Sequence, residues 1–133
     1  MKTEPISVKT GQREELVDIT PHVQKYVDQI NLKNGIIIIY VPHTTAAVTI
    51  NEHADPSVAR DIIYKLAREI PKNENYRHAE GNSDAHIKSS LVGASIQVII
   101  SDGRLLLGTW QGIFFCEFDG PRTRKVYLKA VSD

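Results

Sequence analysis

The chain is expected to fold as one α+β domain, a largely antiparallel sheet or sandwich with two main helices. Short apolar runs bounded by glycine- and proline-marked turns recur along most of its 133 residues. Two segments switch to helical spacing, each opened by a polar cap residue followed by proline. No linker, internal repeat or low-complexity tract interrupts this order, so residues 1–133 read as a single domain. That length supports a hydrophobic core without disulfide staples.

Ile6 and Val8 alternate with Ser7 and Lys9, and Gly11-Gln12-Arg13 offers a turn into Leu16-Val17-Asp18-Ile19, the pattern of an opening hairpin. Thr20-Pro21 begins a helix, threonine as N-cap and proline at the first helical position. Val23, Tyr26, Val27 and Ile30 follow at helical spacing, with Asn34-Gly35 as the expected stop. The unbroken apolar run from Ile36 to Tyr40 suits a strand covered on both faces, and Ala46 to Ile50 a shorter one. Asp55-Pro56 repeats the cap-then-proline signal. Val58, Ala59, Ile62, Ile63, Leu66, Ala67 and Ile70 then line one helix face, and Pro71 ends it. Ile96–Ile100 and Arg104–Leu107 flank Ser101-Asp102-Gly103, a hairpin signal. Ile113–Phe118 and Thr123–Val131 are the last two strands, joined through Asp119-Gly120-Pro121. In the final one Val126, Leu128 and Ala130 alternate with Lys125, Tyr127 and Lys129, one buried face and one wetter face.

Sixteen basic and sixteen acidic residues cancel, with no long block of one sign. A nucleic-acid or membrane-surface protein usually presents a basic face, so neither partner is expected. The single cysteine, Cys116, has no internal partner, which suits a reducing cytoplasm. The opening MKTEPISVKT lacks the apolar core of a secretory signal, and no apolar run reaches bilayer length.

Chemistry concentrates between Tyr76 and Ser90, where His78, Glu80, Asn82, Asp84, His86, Lys88, Ser89 and Ser90 surround Gly81. A third histidine, His43, closes the first strong apolar strand. Three neutral imidazoles at tetrahedral angles make an open zinc-type site with one position for water or substrate. The spacing of His43, His78 and His86 permits convergence without requiring it, and three independent surface histidines are the alternative. Glu52 and Asp84 are carboxylates placed to orient a histidine, ligate a metal or act as a base, with plain solvated acids as the alternative. Asp55 is better explained as a helix cap. His22 and His53 read as solvated helix-edge residues.

Lys88, Ser89 and Ser90 supply a cation and two hydroxyls, the equipment of an anion site. A short helix over residues 85–91 would add its first amides near Asn82, against the reading of hydroxyls that merely face water. Trp110, bracketed with Thr109 and Gln111 by two glycines, reads as core packing first and as a pocket wall or subunit anchor second. Glu117 is the only charge in an apolar strand and needs a partner from Arg104, Arg122 or Arg124. Cys116 beside it reads as a packed thiol.

Three ordered motifs, PHTTAAVTINE, YRHAEGNSDAHIKSSLVG and GRLLLGTWQGIFFCEFDGPR, resemble the YjbQ-type proteins described as secondary thiamine-phosphate synthases, over nearly the whole chain. The resemblance implies a β-rich α+β fold, usually a homotrimer, with motif histidines around a metal or anion site. Carried over by motif, His43, His78 and His86 are the metal ligands. Glu52, Asp84 and Gln111 lie at matching motif positions, and no role passes to His53. The implied reaction joins a pyrimidine pyrophosphate to a thiazole phosphate and releases pyrophosphate. Asn82, Lys88, Ser89, Ser90, Arg122 and Arg124 are the groups expected to hold phosphates, with Trp110 stacking on a ring. Zinc fits histidine ligands and magnesium fits pyrophosphate, so hydrolysis by metal-bound water is the second reaction class and a non-catalytic metabolite-binding trimer the alternative.

Overall fold

Burial alternates with a period of two along strands of the larger of two sheets, while the middle strand of the smaller sheet is buried on both faces. The structure is a computed structural model and describes residues 4–133. The expected absence of a secretory leader rests partly on residues 1–3, which lie outside the described residues. The elements are β1 (Glu4–Lys9), β2 (Glu15–Asp18), α1 (Thr20–Gln29), β3 (Gly35–Tyr40), β4 (Ala46–Glu52), α2 (Pro56–Glu69), α3 (Ser83–Val92), β5 (Ser95–Ser101), β6 (Arg104–Leu105), β7 (Gln111–Glu117) and β8 (Thr123–Ser132). A five-stranded sheet has the order β1-β8-β3-β5-β6, and a three-stranded sheet the order β2-β7-β4. All pairings are antiparallel.

The main core lies between the sheets. Ile37, Ile39, Val98, Val126 and Leu128 from one meet Val48, Ile113 and Phe115 from the other, and Val23, Tyr26 and Val27 of α1 pack into the same cluster. The other face of the small sheet offers Ala47, Phe114 and Cys116, which pack with Ala85 of α3 and with Ile63 and Leu66 of α2. The layers are therefore sheet, sheet and helices, an α+β sandwich as the sequence predicts.

Several elements differ from their expected form. β1 and β2 do not form a hairpin: β1 pairs with β8 and β2 with β7. The chain crosses between sheets at residues 10–14, beside the return crossing at 118–122. The two crossings bond to each other through Thr10 N–H to the Arg122 carbonyl and Gly120 N–H to the Arg13 carbonyl. Thr20 is the first residue of α1 rather than its cap; its hydroxyl donates to Asp18 and accepts the Ile113 amide. α1 ends at Gln29, before Asn34-Gly35, because Asn31 turns the chain with φ 57°. The expected hairpin of β5 and β6 is present, turned by Asp102 and Gly103 at φ 51° and 78°.

β3 is covered on one face only. Ile37 and Ile39 point into the core while Ile36 and Tyr40 are exposed, so the run of isoleucines hides an ordinary two-residue alternation. α2 has its Asp55 cap, which accepts from the Ser57 amide, yet none of its apolar residues is fully buried. A cleft separates its first turns from β2. α3 is a third full helix. Its buried face is Asp84, Ala85, Lys88 and Ser89, too polar for apolar periodicity to reveal.

Candidate functional site

α3 is held by buried charge. Asp84 accepts two bonds from Arg13, at 3.1 and 3.0 Å, and one from Lys88 at 2.8 Å. Lys88 also donates to Glu14 at 3.2 Å, and neither Asp84 nor Lys88 reaches solvent. Burial pushes the Asp84 carboxyl up, but the bonds from Arg13 and Lys88 outweigh it and hold the group below its ordinary range. Two expectations are corrected here. Lys88 faces two carboxylates inside the protein, not a ligand, and Asp84 is spent on cations rather than on the His86 ring. Asp84 also stands in the first turn of α3, so that helix start already carries a negative charge.

A second buried clamp fixes the His43 segment. Arg124 grips both oxygens of Glu117, so it is the partner that Glu117 required. Its guanidinium also donates to the Thr45 hydroxyl at 2.9 Å, and Thr10 donates to Glu117 at 2.8 Å. Burial raises the Glu117 carboxyl, and the bonds from Arg124, the Asp119 amide and Thr10 more than reverse this. Two residues before Thr45, His43 accepts the Lys125 amide on Nε2 at 3.0 Å. Burial, then the nearby Arg124, lowers its pKa, so the ring stays neutral with its proton on Nδ1.

His86 is half-buried on α3, and the His78 ring meets it edge-on with centroids 5.6 Å apart. His86 borders two shallow depressions. One of about 390 Å³ has Tyr76, Arg77, His78 and Ser83 around it; the other, about 330 Å³, has His43, Thr44, Ser89 and Ser90. The three histidines thus lie along one trough. They do not form a ligand set: among the described residues no three His, Cys, Asp or Glu side chains are placed to hold a metal. His43 has already committed Nε2 to a backbone amide. A metal bound by the three histidines of one chain therefore does not fit.

The remaining expected residues scatter. Ser89 and Ser90 turn their hydroxyls back onto the Ala85 and His86 carbonyls. Asn82 donates to Asp119 at 2.9 Å, and its buried Oδ1 has no partner among the described residues. Arg122 donates to the Asp119 carbonyl and carboxylate. Gln111 accepts the Gly108 amide. Trp110 is 62% exposed, which rules out core packing and leaves the wall or anchor reading. Glu52 does not return to His43. It ends β4, whose seven residues carry it about 20 Å from the strand's start at about 3.3 Å per residue. Cys116 is a packed thiol, its pKa pushed up to about 12 by burial.

The family described as UPF0047 protein YjbQ-like matches residues 4–133. This chain belongs to the YjbQ/UPF0047 family. A UPF0047 protein of Methanocaldococcus jannaschii is 64% identical over 126 residues, 95% of this chain and 91% of the relative. The UPF0047 protein YugU of Bacillus subtilis is 52% identical over 125 residues, 93% of this chain and 95% of the relative. The crystal structure of a YjbQ/UPF0047 protein from Clostridium acetobutylicum superposes with a TM-score of 0.94 at 52% identity, covering 96% of this chain and 99% of that one. A hypothetical protein from Aeropyrum pernix, at 37% identity, gives 0.95 over the whole of both chains. No helix among the described residues of this YjbQ/UPF0047 chain is long and apolar enough to cross a membrane.

One polar pair in this YjbQ/UPF0047 chain escaped the sequence reading. His53 is exposed, as the sequence suggests, but it is not free: its Nδ1 lies 2.8 Å from Asp18 Oδ2. Burial raises the Asp18 carboxyl, while bonds from the Thr20 hydroxyl and amide and from His53 bring it below its ordinary range. Residues 35 positions apart are joined only because β2 and β4 both pair with β7. The one local hint is Gly112, a residue without a side chain at the head of an otherwise bulky strand.

Proposed function

We propose that the protein is an enzyme acting on a small phosphorylated metabolite in the trough along α3, working as a homotrimer. The observation that carries the reading is the position of His86, which borders both depressions, with His78 beside one and His43 beside the other. Imidazole is the side chain best suited to move protons near neutral pH, so His86 is the proton-transferring group. The neutral His43 keeps an Nδ1–H to donate to a ligand oxygen. Arg77, at the edge of the trough, takes the phosphate-binding role that Lys88 is too buried to fill.

No chemical step is assigned to a metal, because one chain gathers no ligand set. The zinc expected from the histidines enters only as a property of the assembly, measured as metal content of the native oligomer. The trimer is supported by an exposed apolar row across the large sheet: Val131, Ile36 and Ile99 in register, with Leu106 bonded through its amide to Ile99. Thiamine-phosphate synthesis is the specific transfer implied by resemblance to the YjbQ type, so its two precursors join a panel of phosphate esters as substrates. Turnover of any of these should vanish in His86→Ala at unchanged melting temperature; a variant that turns over normally sinks the reading. Because the serine hydroxyls bond back to their own helix and Lys88 is spent inside the fold, a second reading is binding without reaction. It predicts a ligand that raises the melting temperature while no product forms.

A further inference from the structure

We infer that the cleft beneath the first turns of α2 is a second ligand site, built for a small organic cation: an ammonium group on an apolar body. The cleft holds about 640 Å³ and lies at the far end of β4 from the His86 trough. That volume is in the range of small-molecule sites. Leu16, Ile63 and Phe114 give it apolar walls, and Tyr64, 63% exposed, stands at its mouth.

The charge around the cleft sets the sign of its ligand. Its lining carries five carboxylates against one guanidinium, Arg60. Four of the five are already engaged: Glu14 with Lys88, Glu15 with the Gly11 amide, Asp18 with Thr20 and His53, and Asp55 with Ser57. Glu52 is the exception, unpaired among the described residues. It is half-buried in a cleft that repels anions, and an ammonium donating to it satisfies both.

The second contact is His53, and the protein positions it deliberately. Asp18 is held by the Thr20 amide at 3.0 Å and hydroxyl at 2.6 Å, both on Oδ1, which leaves Oδ2 for His53 Nδ1. A carboxylate on Nδ1 keeps the hydrogen there, so the neutral ring has its lone pair on Nε2. The His53 backbone is fixed by its amide bond to the Trp110 carbonyl at 2.9 Å. Gly112 makes room for the ring: a Cβ there would lie 2.3 Å from Nδ1 and 2.4 Å from Cγ. β7 thus gives up one side chain so that the His53–Asp18 pair can form. An ammonium has three donors, and Glu52 and His53 both line the cleft.

The test is an NMR titration of the full chain with benzylamine, using benzyl alcohol as the neutral counterpart of the same shape. Benzylamine should shift the His53, Tyr64 and Phe114 resonances saturably, with benzyl alcohol at least about tenfold weaker, the scale of a lost charge-assisted bond. Glu52→Gln keeps the shape of the side chain and should weaken benzylamine about tenfold at unchanged melting temperature. Gly112→Ala should push the His53 ring away and remove its response. Equal binding of amine and alcohol, an unaffected Glu52→Gln variant, or shifts that never saturate would each overturn the site. Turnover at His86 is read separately, so neither result decides the other.

Discussion

An aspartate followed four residues later by a lysine is, on most helices, a solvated pair worth a few tenths of a kcal/mol. On α3 the same spacing is turned inward, because Arg13 and Glu14 arrive from the crossing between β1 and β2 and complete a four-member ion cluster. Nothing local to residues 83–92 announces those partners, and so Lys88 reads in the sequence as a phosphate ligand. Glu117 shows the opposite case. A lone acid within an apolar strand must have a buried partner, and Arg124 is one of the three arginines that this reasoning names. The difference in legibility is whether the need for a partner is visible locally; its identity rarely is. Removing Lys88 leaves Asp84 enclosed beside Arg13 alone. Lys88→Ala should therefore cost about 3 kcal/mol at pH 7, the lower end for breaking a buried pair. Urea unfolding measures it. Asp84 contributes its stability above its unfolded pKa, and loses it as pH falls through the lower folded value. The deficit of the variant should accordingly be full at neutral pH and shrink only as the pH falls below the ordinary carboxylate value of 3.8, where protonation removes the stranded charge. A deficit independent of pH would mean lost packing rather than lost pairing.

At the scale of elements, legibility follows the range of the signal. The α2 cap at Asp55 and the Asp102-Gly103 hairpin turn are encoded within a few residues, and both stand where the sequence places them. The partners of β1 and β2 are not encoded locally: a plausible turn at Gly11-Gln12-Arg13 competes with pairing to strands more than 90 residues away, and the long-range pairing wins. It wins because Val8 and Val17 then both join the core between the two sheets while Leu16 packs with Ala47, Phe114 and Cys116 on the helix-covered face of the small sheet. Gly35 is the joint where β3 enters between β8 and β5. A Cβ there would lie 2.2 Å from the Val131 carbonyl oxygen, which is backbone and cannot rotate away. Gly35→Ala should therefore part the end of β8 from β3 and cost about 1–3 kcal/mol, as overpacking does. Hydrogen exchange should show the loss first at the amides of 130–132. A variant with wild-type stability and protection would mean that the two strands slide apart freely, contrary to their tight register.

For the whole molecule, the open question is why one face of the large sheet is apolar. The core needs only Ile37 and Ile39 from β3, yet Ile36 and Tyr40 on the other side are also large and apolar, and Ile99 and Val131 extend the row. Scattered apolar residues are ordinary on a surface, but a row in register across neighbouring strands is a patch. Its flanks are polar, Lys129 and Gln97 standing opposite Ile38 on either side, the pattern of an interface with a wetter rim. His43 follows β3 by three residues and accepts the Lys125 amide of β8, so a subunit seated on this face would come close to the trough. The sequence shows the apolar run and infers burial on both sides of β3. That inference fails for one chain and holds if a second copy covers the face. A stable interface of this kind buries on the order of 800 Å² per partner. Ile99 lies near the centre of the row and is 57% exposed, so lysine there leaves the core untouched and places a charge where the partner must pack. Sedimentation velocity should find trimer for the parent protein and monomer for Ile99→Lys, with equal helix and strand content by circular dichroism. If the two sediment alike as trimers, the subunits meet elsewhere; if the parent protein is itself a monomer, the assembly in the proposed function is wrong and the apolar row awaits a different partner.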